Sequence, residues 1–285
     1  MSVIAVTAAS GSLGSEIVKA IRQHFSDETV IGLARTPANA ESLGVEIRPG
    51  DYTKPSELES SLQGVNTVLL VSGMAHPDER IGQHRNVINA ALTAGVEKIV
   101  YTSIQGAEEG TGFSPIVQSN RQTEADIRDS GLQWSIGRNG IYIEPDIEYI
   151  DQYEKSGEIA NCAGGGLCGY TTRPELAFAY AQMLTDRKHN QQTFNLHGES
   201  LTQLQLTDFI NEAFGLNLSY RKLTVDQYRE DRIAELGDFL GNVIAGIYEG
   251  IQLGAFDNPS QFSHAAGREH VTWKDYLQKL KQDQS

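Results

Sequence analysis

The segment between the first apolar run and the first amphipathic run constrains this fold more than any other feature of the chain. It reads Thr-Ala-Ala-Ser-Gly-Ser-Leu-Gly at residues 7–14 and follows the apolar run 3–6. A buried strand that turns through small residues into a helix brings unpaired backbone N–H groups and the positive end of the helix dipole together. Because small side chains let a pyrophosphate reach that backbone, the spacing predicts a dinucleotide-binding turn. The alternative is a tight strand-to-helix turn that binds no ligand.

Arg35 indicates which dinucleotide would bind. It follows the second predicted strand, residues 30–34. In sites for NAD this strand end carries an acidic residue for the ribose hydroxyls, whereas an arginine accommodates a 2′-phosphate through charge-assisted hydrogen bonds. Arg35 therefore predicts NADP(H) as the cofactor, and a solvated surface arginine is the alternative.

Predicted strands and helices alternate through the first half of the chain. The strands are 3–6, 30–34, 45–51, 67–72, 98–103 and 132–137, the helices are 13–25, 38–43, 55–62, 86–94 and 121–129, and polar loops cover 73–82 and 104–119. Such alternation implies right-handed crossovers, and thus an α/β fold with a doubly wound parallel sheet. Ligands on this architecture bind beyond the carboxyl ends of the strands. The residues expected there are Gly11, Arg35, Asp51, Ser72, Gly73, Thr102, Ser103 and 138–140.

The second half of the chain is less regular. We predict short strands at 159–162 and 193–196, a helix at 174–184 capped by Thr172, a helix at 202–214, and a helical region at 225–256 broken by Gly237, Gly241 and Gly250. These elements predict a smaller α+β lobe. The domain prediction is therefore a nucleotide-binding domain at 1–150 and a substrate-covering lobe at 151–285, interleaved with the first.

Composition excludes several classes of partner. The formal net charge of −14 argues against nucleic acid and against an anionic membrane surface. The sequence shows no signal peptide and no apolar run of membrane-spanning length, so we expect a cytoplasmic protein. Cys162 and Cys168 form neither a disulfide framework nor a zinc motif, and the histidines show no ligand spacing, so we assign no metal. The role of the two cysteines stays open.

An ordered series of short motifs extends over nearly the whole chain. Besides the turn at 7–14, the motifs are 33–37 (LARTP), 50–52 (GDY), 83–91 (QHRNVINAA), 94–96 (AGV), 100–103 (VYTS), 123–124 (TE), 129–131 (DSG), 138–142 (RNGIY) and 266–268 (AGR). With them the chain resembles the NmrA-like, atypical branch of the short-chain dehydrogenase/reductase superfamily. Within that branch it is most similar to bacterial NADPH-dependent quinone oxidoreductases and triphenylmethane reductases.

This resemblance implies a Rossmann-like fold and a set of cofactor contacts. The implied contacts to NADPH are Ser10, Gly11, Ser12 and Leu13 around the pyrophosphate, Arg35 on the 2′-phosphate, Asp51 and Tyr52 beside the adenine, and Ser72 and Gly73 along the ribose and nicotinamide, with Thr7 also assigned to cofactor binding. Residues 139–142 would border the substrate pocket. Two positions depart from the family. Ala8 replaces the first glycine of the turn, and Asn120 replaces a lysine or a histidine.

The usual catalytic pair of short-chain dehydrogenases is missing. None of the eleven tyrosines has a lysine four residues later, and no lysine occurs between Lys98 and Lys155. Reducing a quinone requires less from the protein, because the product is a stabilised phenolate that water can protonate. Positioning the nicotinamide against a flat acceptor supplies most of the rate enhancement. Tyr142 is the first candidate for contacting the acceptor, and a core tyrosine is its alternative. Asn120, Asn139 and Ser103 are weaker candidates, and for Ser103 a satisfied strand-end hydroxyl is the alternative.

Four functions remain open at this point. The leading hypothesis is an NADPH-dependent reductase that transfers hydride to quinones or similar electron-poor conjugated small molecules. A regulator that senses NADP(H) without turnover fits the missing pair equally well. An isomerase or epimerase with tightly held cofactor is the second alternative. A reductase of another acceptor is a further alternative. The predicted partner is thus a small-molecule electron acceptor, with a homodimer as an alternative to a monomer.

Overall fold

A parallel sheet of seven strands forms the centre of the computed structural model, which describes residues 2–283. In chain order the strands are β1 (Val3–Val6), β2 (Thr29–Ala34), β3 (Glu46–Pro49), β4 (Thr67–Val71), β5 (Lys98–Ile104), β6 (Gln133–Asn139), β7 (Ile141–Tyr142), β8 (Glu158–Asn161), β9 (Cys168–Thr171), β10 (Gln192–Leu196), β11 (Ser200–Leu201) and β12 (Ser219–Lys222). The central sheet has the order β3-β2-β1-β4-β5-β6-β10, and every neighbouring pair in it is parallel. The strand order reverses between β1 and β4, so the crevice for a ligand opens at their carboxyl ends.

Helices α1, α2, α3, α4, α7 and α11 cover the two faces of this sheet. In chain order the helices within residues 2–283 are α1 (Ser12–His24), α2 (Pro55–Ser61), α3 (Pro77–Thr93), α4 (Ser114–Asp129), α5 (Glu144–Glu148), α6 (Ile150–Ser156), α7 (Arg173–Thr185), α8 (Gln203–Phe214), α9 (Val225–Leu236), α10 (Asp238–Gln252), α11 (Phe262–Ala266) and α12 (Trp273–Asp283), with short 3-10 helices at Pro37–Leu43 and Arg187–His189. One buried cluster joins the sheet to α1, α7 and α11, and another joins it to α2, α3 and α4. The strands β1, β2 and β4 are apolar on both faces because both faces are covered.

Two helices begin earlier than the sequence predicts. Helix α3 begins at Pro77 within the predicted loop 73–82, and α4 begins at Ser114 within the predicted loop 104–119. At α3 the proline occupies the first turn, where its missing N–H costs nothing, and the His76 ring accepts a hydrogen bond from the Asp78 amide. Small and polar residues at these two places thus form helical first turns, and both loop predictions were too long.

The lobe contains two small sheets and the remaining helices. Strands β7, β9 and β11 form one small sheet, and β8 pairs with β12 in the other. The predicted cap of α7 is confirmed, since the Thr172 hydroxyl accepts a hydrogen bond from the Glu175 amide. The chain also returns to the central sheet after residue 150, because β10 pairs with β6.

The predicted helical region 225–256 breaks at one of its three glycines. Gly237, with φ of +80°, separates α9 from α10, whereas Gly241 and Gly250 lie inside α10, so the prediction of breaks there was wrong. A Cβ on Gly241 would lie 2.5 Å from the backbone nitrogen of Ile233. This glycine therefore permits the close approach of α9 and α10 instead of ending a helix. Among residues 2–283, no helix combines the length and apolar character that crossing a bilayer requires.

Candidate active site

The turn from β1 into α1 has the features of an anion cradle. Gly11 caps α1 with no side-chain hydrogen bond, and no acidic residue lies in the first turn, so the first amides of the helix are left for an external acceptor. Ser10, Gly11 and Ser12 are exposed, whereas Leu13 is buried. A Cβ on Gly14 would overlap the Ala8 carbonyl oxygen. The residues of this turn therefore fit a pyrophosphate group, which needs small side chains and free N–H groups.

Ala8 adopts a backbone conformation that favours glycine. Its φ is +48°, in the left-handed region, at the position where the family resemblance implies the first glycine of the turn. A non-glycine residue there costs about 1–2 kcal/mol. The turn keeps its geometry despite this cost, because the Gly11 amide donates to the Ala8 carbonyl and the Ala9 amide donates to the Leu33 carbonyl.

Arg35 and Asp51 follow the neighbouring strands β2 and β3. Arg35 is exposed, and within residues 2–283 its guanidinium makes no hydrogen bond or ion pair. Asp51 accepts hydrogen bonds from the amide and the hydroxyl of Thr53. The Thr53 amide is the main cause of the lowered pKa of Asp51, and Lys54 and Arg35 lower it further. Arg35 is thus available to an external anion, and Asp51 is an ionised turn-forming residue beside it.

Thr7 and Tyr52 lie under the crevice, not on its surface. Their hydroxyl groups are hydrogen-bonded to each other, and the Tyr52 hydroxyl also contacts the Val71 carbonyl at 2.9 Å. The Val71 amide donates to Thr7 Oγ1 at 3.0 Å. These two side chains hold the ends of β1 and β4 together, and Tyr52 presents little surface for a ligand.

Ser72 and Gly73 leave β4 at the crevice, and two buried groups fix their backbone. The Ser72 amide donates to Thr102 Oγ1 at 2.8 Å, and the Gly73 amide donates to His84 Nε2 at 3.0 Å. The other ring nitrogen of His84 lies 2.9 Å from Thr123 Oγ1, whose own proton goes to the Ser119 carbonyl. This network assigns the proton of a neutral imidazole to Nδ1. Burial, followed by the charge of Arg80, lowers the pKa of His84 to about 3.

Asn120 is buried, and its side-chain amide is hydrogen-bonded to neighbouring groups. Its Oδ1 accepts from the Tyr101 hydroxyl at 2.6 Å and from Ser72 Oγ at 3.2 Å, and its Nδ2 donates to the Ile116 carbonyl. An amide cannot transfer a proton at neutral pH. At this position the side chain therefore ties α4 to β5 and to the exit of β4.

Asn139 and Tyr142 lie next to each other at the end of β6. Asn139 Oδ1 accepts from the Tyr180 hydroxyl at 2.6 Å, and its Nδ2 lies 3.3 Å from the Tyr142 hydroxyl. Burial raises the pKa of Tyr142, although Asn139 and the nearby Arg173 oppose this. Arg173 also lies over the Tyr142 ring, 5.4 Å from its centroid. Tyr142 is half-buried, so it is fixed in place while part of it remains accessible.

Ser103 belongs to a buried ionic cluster. Its hydroxyl donates to Glu124 Oε1 at 2.6 Å, and the same carboxylate binds the guanidinium groups of Arg121, Arg128 and Arg138. Burial alone would raise the pKa of Glu124, but hydrogen bonds from Arg138 and Ser103 outweigh it and lower that pKa. The Ser103 hydroxyl thus links β5 to α4 through its hydrogen bond to Glu124.

Sequence reasoning assigned no role to Arg80, His84 or Glu124. His84 and Glu124 lie within the motifs 83–91 and 123–124, so the motifs themselves carried a signal. Their function depends on hydrogen bonds to residues far along the chain. Such contacts cannot be read from spacing.

Three further features of residues 2–283 bear on the chemistry of the protein: a depression, two cysteines and the metal-binding side-chain types. A polar depression of about 730 Å³ lies at the opposite, amino-terminal edge of the strands, lined by residues that include Asn66 and Lys98. Cys162 and Cys168 are free and buried, and burial raises the pKa of the Cys162 thiol to about 11 and that of Cys168 well above its usual value. They are therefore unreactive thiols. Within the described part of the chain, no cluster of three or more His, Cys, Asp or Glu side chains is arranged to hold a metal ion.

Comparison with known proteins agrees with this geometry. Residues 8–186 match a family model described as NAD(P)H-binding. The chain is 30% identical over 283 residues to quinone oxidoreductase 2 of Escherichia coli, which covers 97% of this chain and 98% of that protein. The structure of the E. coli NADPH-dependent quinone oxidoreductase complexed with NADPH superposes with a TM-score of 0.86 at 29% identity, over 97% of this chain and 99% of that one. Triphenylmethane reductase of Citrobacter sp. complexed with NADP(H) superposes with a TM-score of 0.89 at 29% identity, over 98% of this chain and 99% of that one.

The chain therefore belongs to the NAD(P)H-binding family. The predicted doubly wound sheet and the resemblance to NmrA-like reductases are confirmed. So is the prediction of a nicotinamide cofactor, and the protein is an NAD(P)H-dependent oxidoreductase.

Proposed function

We propose that this protein reduces quinones and similar electron-poor conjugated small molecules with hydride from NADPH. The observation that carries the proposal is the combination at one sheet edge of an uncapped helix N-terminus and an unpaired arginine, Arg35, with no tyrosine paired to a lysine that would activate it as a proton donor. The first two features fit a phosphorylated dinucleotide. The third fits an acceptor whose reduced form needs no enzymatic acid.

Each cofactor contact is assigned by its place at the crevice. The amides around Ser10, Gly11, Ser12 and Leu13 would bind the pyrophosphate, and Arg35 would bind the 2′-phosphate. Asp51 and Tyr52 would border the adenine side, with Thr7 holding the Tyr52 hydroxyl from below. Ser72 and Gly73 would border the ribose and nicotinamide, since His84 and Thr102 fix their backbone.

The residues near the acceptor orient it and exchange no proton with it. When bound, NADPH supplies a hydride, so that NADPH, quinone and one proton from water give NADP⁺ and the quinol. Tyr142 offers an aromatic face and a hydroxyl that Asn139 holds in one orientation. Asn120 keeps the exit of β4 in place through Ser72. Because these groups remain neutral, the chain contributes the relative position of the cofactor and the acceptor.

The names of the relatives support this class of acceptor. Besides quinone oxidoreductase 2, an NAD(P)H azoreductase of Xenophilus azovorans is 26% identical over 80% of this chain and 79% of its own length. Quinones, azo dyes and triphenylmethane dyes are flat, conjugated and electron-poor. An aromatic residue such as Tyr142 suits acceptors of this shape.

A spectrophotometric screen tests the proposal. NADPH oxidation is measured with quinones, azo and triphenylmethane dyes, enones and imines, with NADH as the comparison nucleotide. We expect turnover with quinones and dyes and a preference for NADPH. Tight binding of NADPH without turnover of any acceptor would favour a cofactor-sensing regulator, and purified protein that retains nucleotide without net oxidation would favour an isomerase.

Two further expectations accompany this proposal. A homodimer stays a prediction, which light scattering of the purified protein decides. A cytoplasmic location is proposed because the reaction would draw on the cellular pool of NADPH and because both cysteines are free. Localisation of a tagged chain tests it.

A further inference from the structure

Arg80 is a buried cation without an acidic partner. It lies in the first turn of α3 and is 4% exposed. Its two terminal nitrogens donate to the Ala75 carbonyl at 3.0 Å and to Ser119 Oγ at 3.4 Å. Its Nε–H is buried without a hydrogen-bond partner, and none of the ion pairs in the described part of the chain includes it.

Such an arrangement is costly for a protein that needs it only to fold. A guanidinium stays charged under all ordinary conditions, and a buried charge without a counter-charge lacks the interaction that would offset its desolvation. Burial lowers the pKa of Arg80, with Tyr101 opposing the change. An apolar or neutral polar side chain would fill the same place at less cost, so the charge itself requires an explanation.

The position of Arg80 supplies an explanation for its charge. It connects the loop that follows Ser72 and Gly73 to α4, one residue before Asn120. The ionisable side chains that interact electrostatically with Arg80 are His84 on α3 and Tyr101 on β5. The acidic residues of the same helix turn, Asp78 and Glu79, are exposed, and Glu124 on α4 is bound by three other guanidinium groups. His84 is neutral, and burial raises the pKa of Tyr101, so neither group cancels the positive charge. The charge therefore acts on the crevice end of β4 and β5.

We propose that Arg80 stabilises the negative charge that forms on the acceptor when it takes up hydride, so that the site selects acceptors that become oxyanions. This inference rests on the proposed function. The hydride brings two electrons to the quinone, whose second oxygen becomes a phenolate until it takes a proton from water. Arg80 acts from behind Asn120 and Ser119, and it is therefore a positioning residue that provides a fixed field.

The test uses 4-nitrophenol as a stand-in for the quinol monoanion, bound to the complex of the full chain with NADP⁺. The absorbance of the bound ligand reports whether it is phenol or phenolate. The variants are Arg80→Gln, which removes the charge and keeps hydrogen-bonding capacity, and Arg80→Lys, which keeps the charge. Arg85→Gln is the matched control, because Arg85 lies on the same helix, is half-exposed and pairs with Asp126.

We expect the wild-type complex to lower the pKa of the bound phenol by about one unit, a tenfold preference for the phenolate. Arg80→Lys and the Arg85 control should retain most of this shift, and Arg80→Gln should abolish it. In turnover, Arg80→Gln should lower kcat with quinones about tenfold and leave the dissociation constant for NADPH within about twofold.

Equal phenol pKa values in wild type and Arg80→Gln would overturn the inference, as would a wild-type complex that shows no preference for phenolate. Should Arg80→Gln fail to fold, Arg80→Met and the lysine variant provide the same comparison of charge. A wild-type enzyme that shifts the phenol pKa but reduces no quinone would contradict the proposed function and leave the anion site intact. Quinone turnover without a shift in the pKa of the bound phenol would contradict the anion site and leave the proposed function intact.

Discussion

The carbonyl oxygen of Ala8 packs directly against the Cα of Gly14, so closely that a Cβ on Gly14 would overlap it. This contact joins the beginning of the turn, just after β1, to the first turn of α1. It brings the strand end and the helix N-terminus to the separation at which a phosphate group meets free amides. The residue types at both positions therefore have measurable consequences.

Gly14→Ala should disrupt the turn. The added methyl group overlaps backbone, which cannot rotate away, so we expect a loss of about 2–3 kcal/mol of unfolding free energy. NADPH binding should weaken with it. Chemical denaturation and calorimetric titration measure the two effects. Gly64→Ala is not a matched control, because Gly64 has a positive φ, whereas Gly82→Ala is one, since Gly82 lies inside α3 with open space around it.

Ala8→Gly should stabilise the protein. Glycine relieves the left-handed conformation of residue 8 and recovers about 1 kcal/mol, after the larger entropy of unfolded glycine is allowed for. Affinity for NADPH should stay equal or increase. Thermal unfolding checks the first expectation, with Ala9→Gly as the control at a neighbouring buried position. A lower melting temperature for Ala8→Gly would show that the strain is absent.

Arg35→Ala should raise the KM for NADPH about tenfold to a hundredfold, since a charge-assisted hydrogen bond to phosphate contributes about 1.5–3 kcal/mol. The KM for NADH should change little. Arg187→Ala is the control, because Arg187 is 89% exposed and lies near the opposite edge of the sheet. Equal effects of Arg35→Ala on both nucleotides would remove the basis for the phosphate assignment.

Asp146→Asn should stabilise the protein at neutral pH. Burial raises the pKa of Asp146 from 3.8 to about 6, although Tyr153 and Tyr248 donate hydrogen bonds to it. With the folded pKa above the unfolded one, this carboxyl contributes most below pH 3.8 and loses that contribution as the pH rises through 6. The penalty at pH 7 is about 3 kcal/mol at most. Unfolding of Asp146→Asn between pH 4 and 7, compared with Asp151→Asn on the exposed side of α6, measures it.

Glu124→Gln should destabilise the protein by about 3 kcal/mol at neutral pH, because it leaves three guanidinium groups around a neutral amide. The folded pKa of Glu124 is lowered, so its contribution is present above the unfolded value of 4.5 and is lost as the pH falls through the folded pKa. The difference from wild type should therefore shrink in acid. Denaturant unfolding across pH checks this, with Glu154→Gln as the exposed control; an effect equal to that control would contradict the prediction.

The sequence predicted the elements whose local pattern agrees with their surroundings. The strands β1, β2 and β4 are continuous apolar runs, and such runs become buried parallel strands wherever helices cover both faces. The turn at 7–14 and the cap at Thr172 were also predictable, because their residue types act on neighbouring backbone. The helix starts at Pro77 and Ser114 were missed because both lie in segments that lack an apolar periodicity and were predicted as polar loops.

The sequence by itself determined the α/β sheet, the nucleotide turn and the kind of residue at the ends of β2 and β3, since each depends on neighbours along the chain. The tertiary structure alone decided that Tyr101 and Ser72 donate hydrogen bonds to Asn120 Oδ1 and that the Gly73 amide donates to His84 Nε2. It also decided that Arg80 is buried without a counter-charge. The physical reason is that hydrogen bonding and desolvation depend on which distant residues meet. The spacing of residues along the chain does not show which distant residues come into contact.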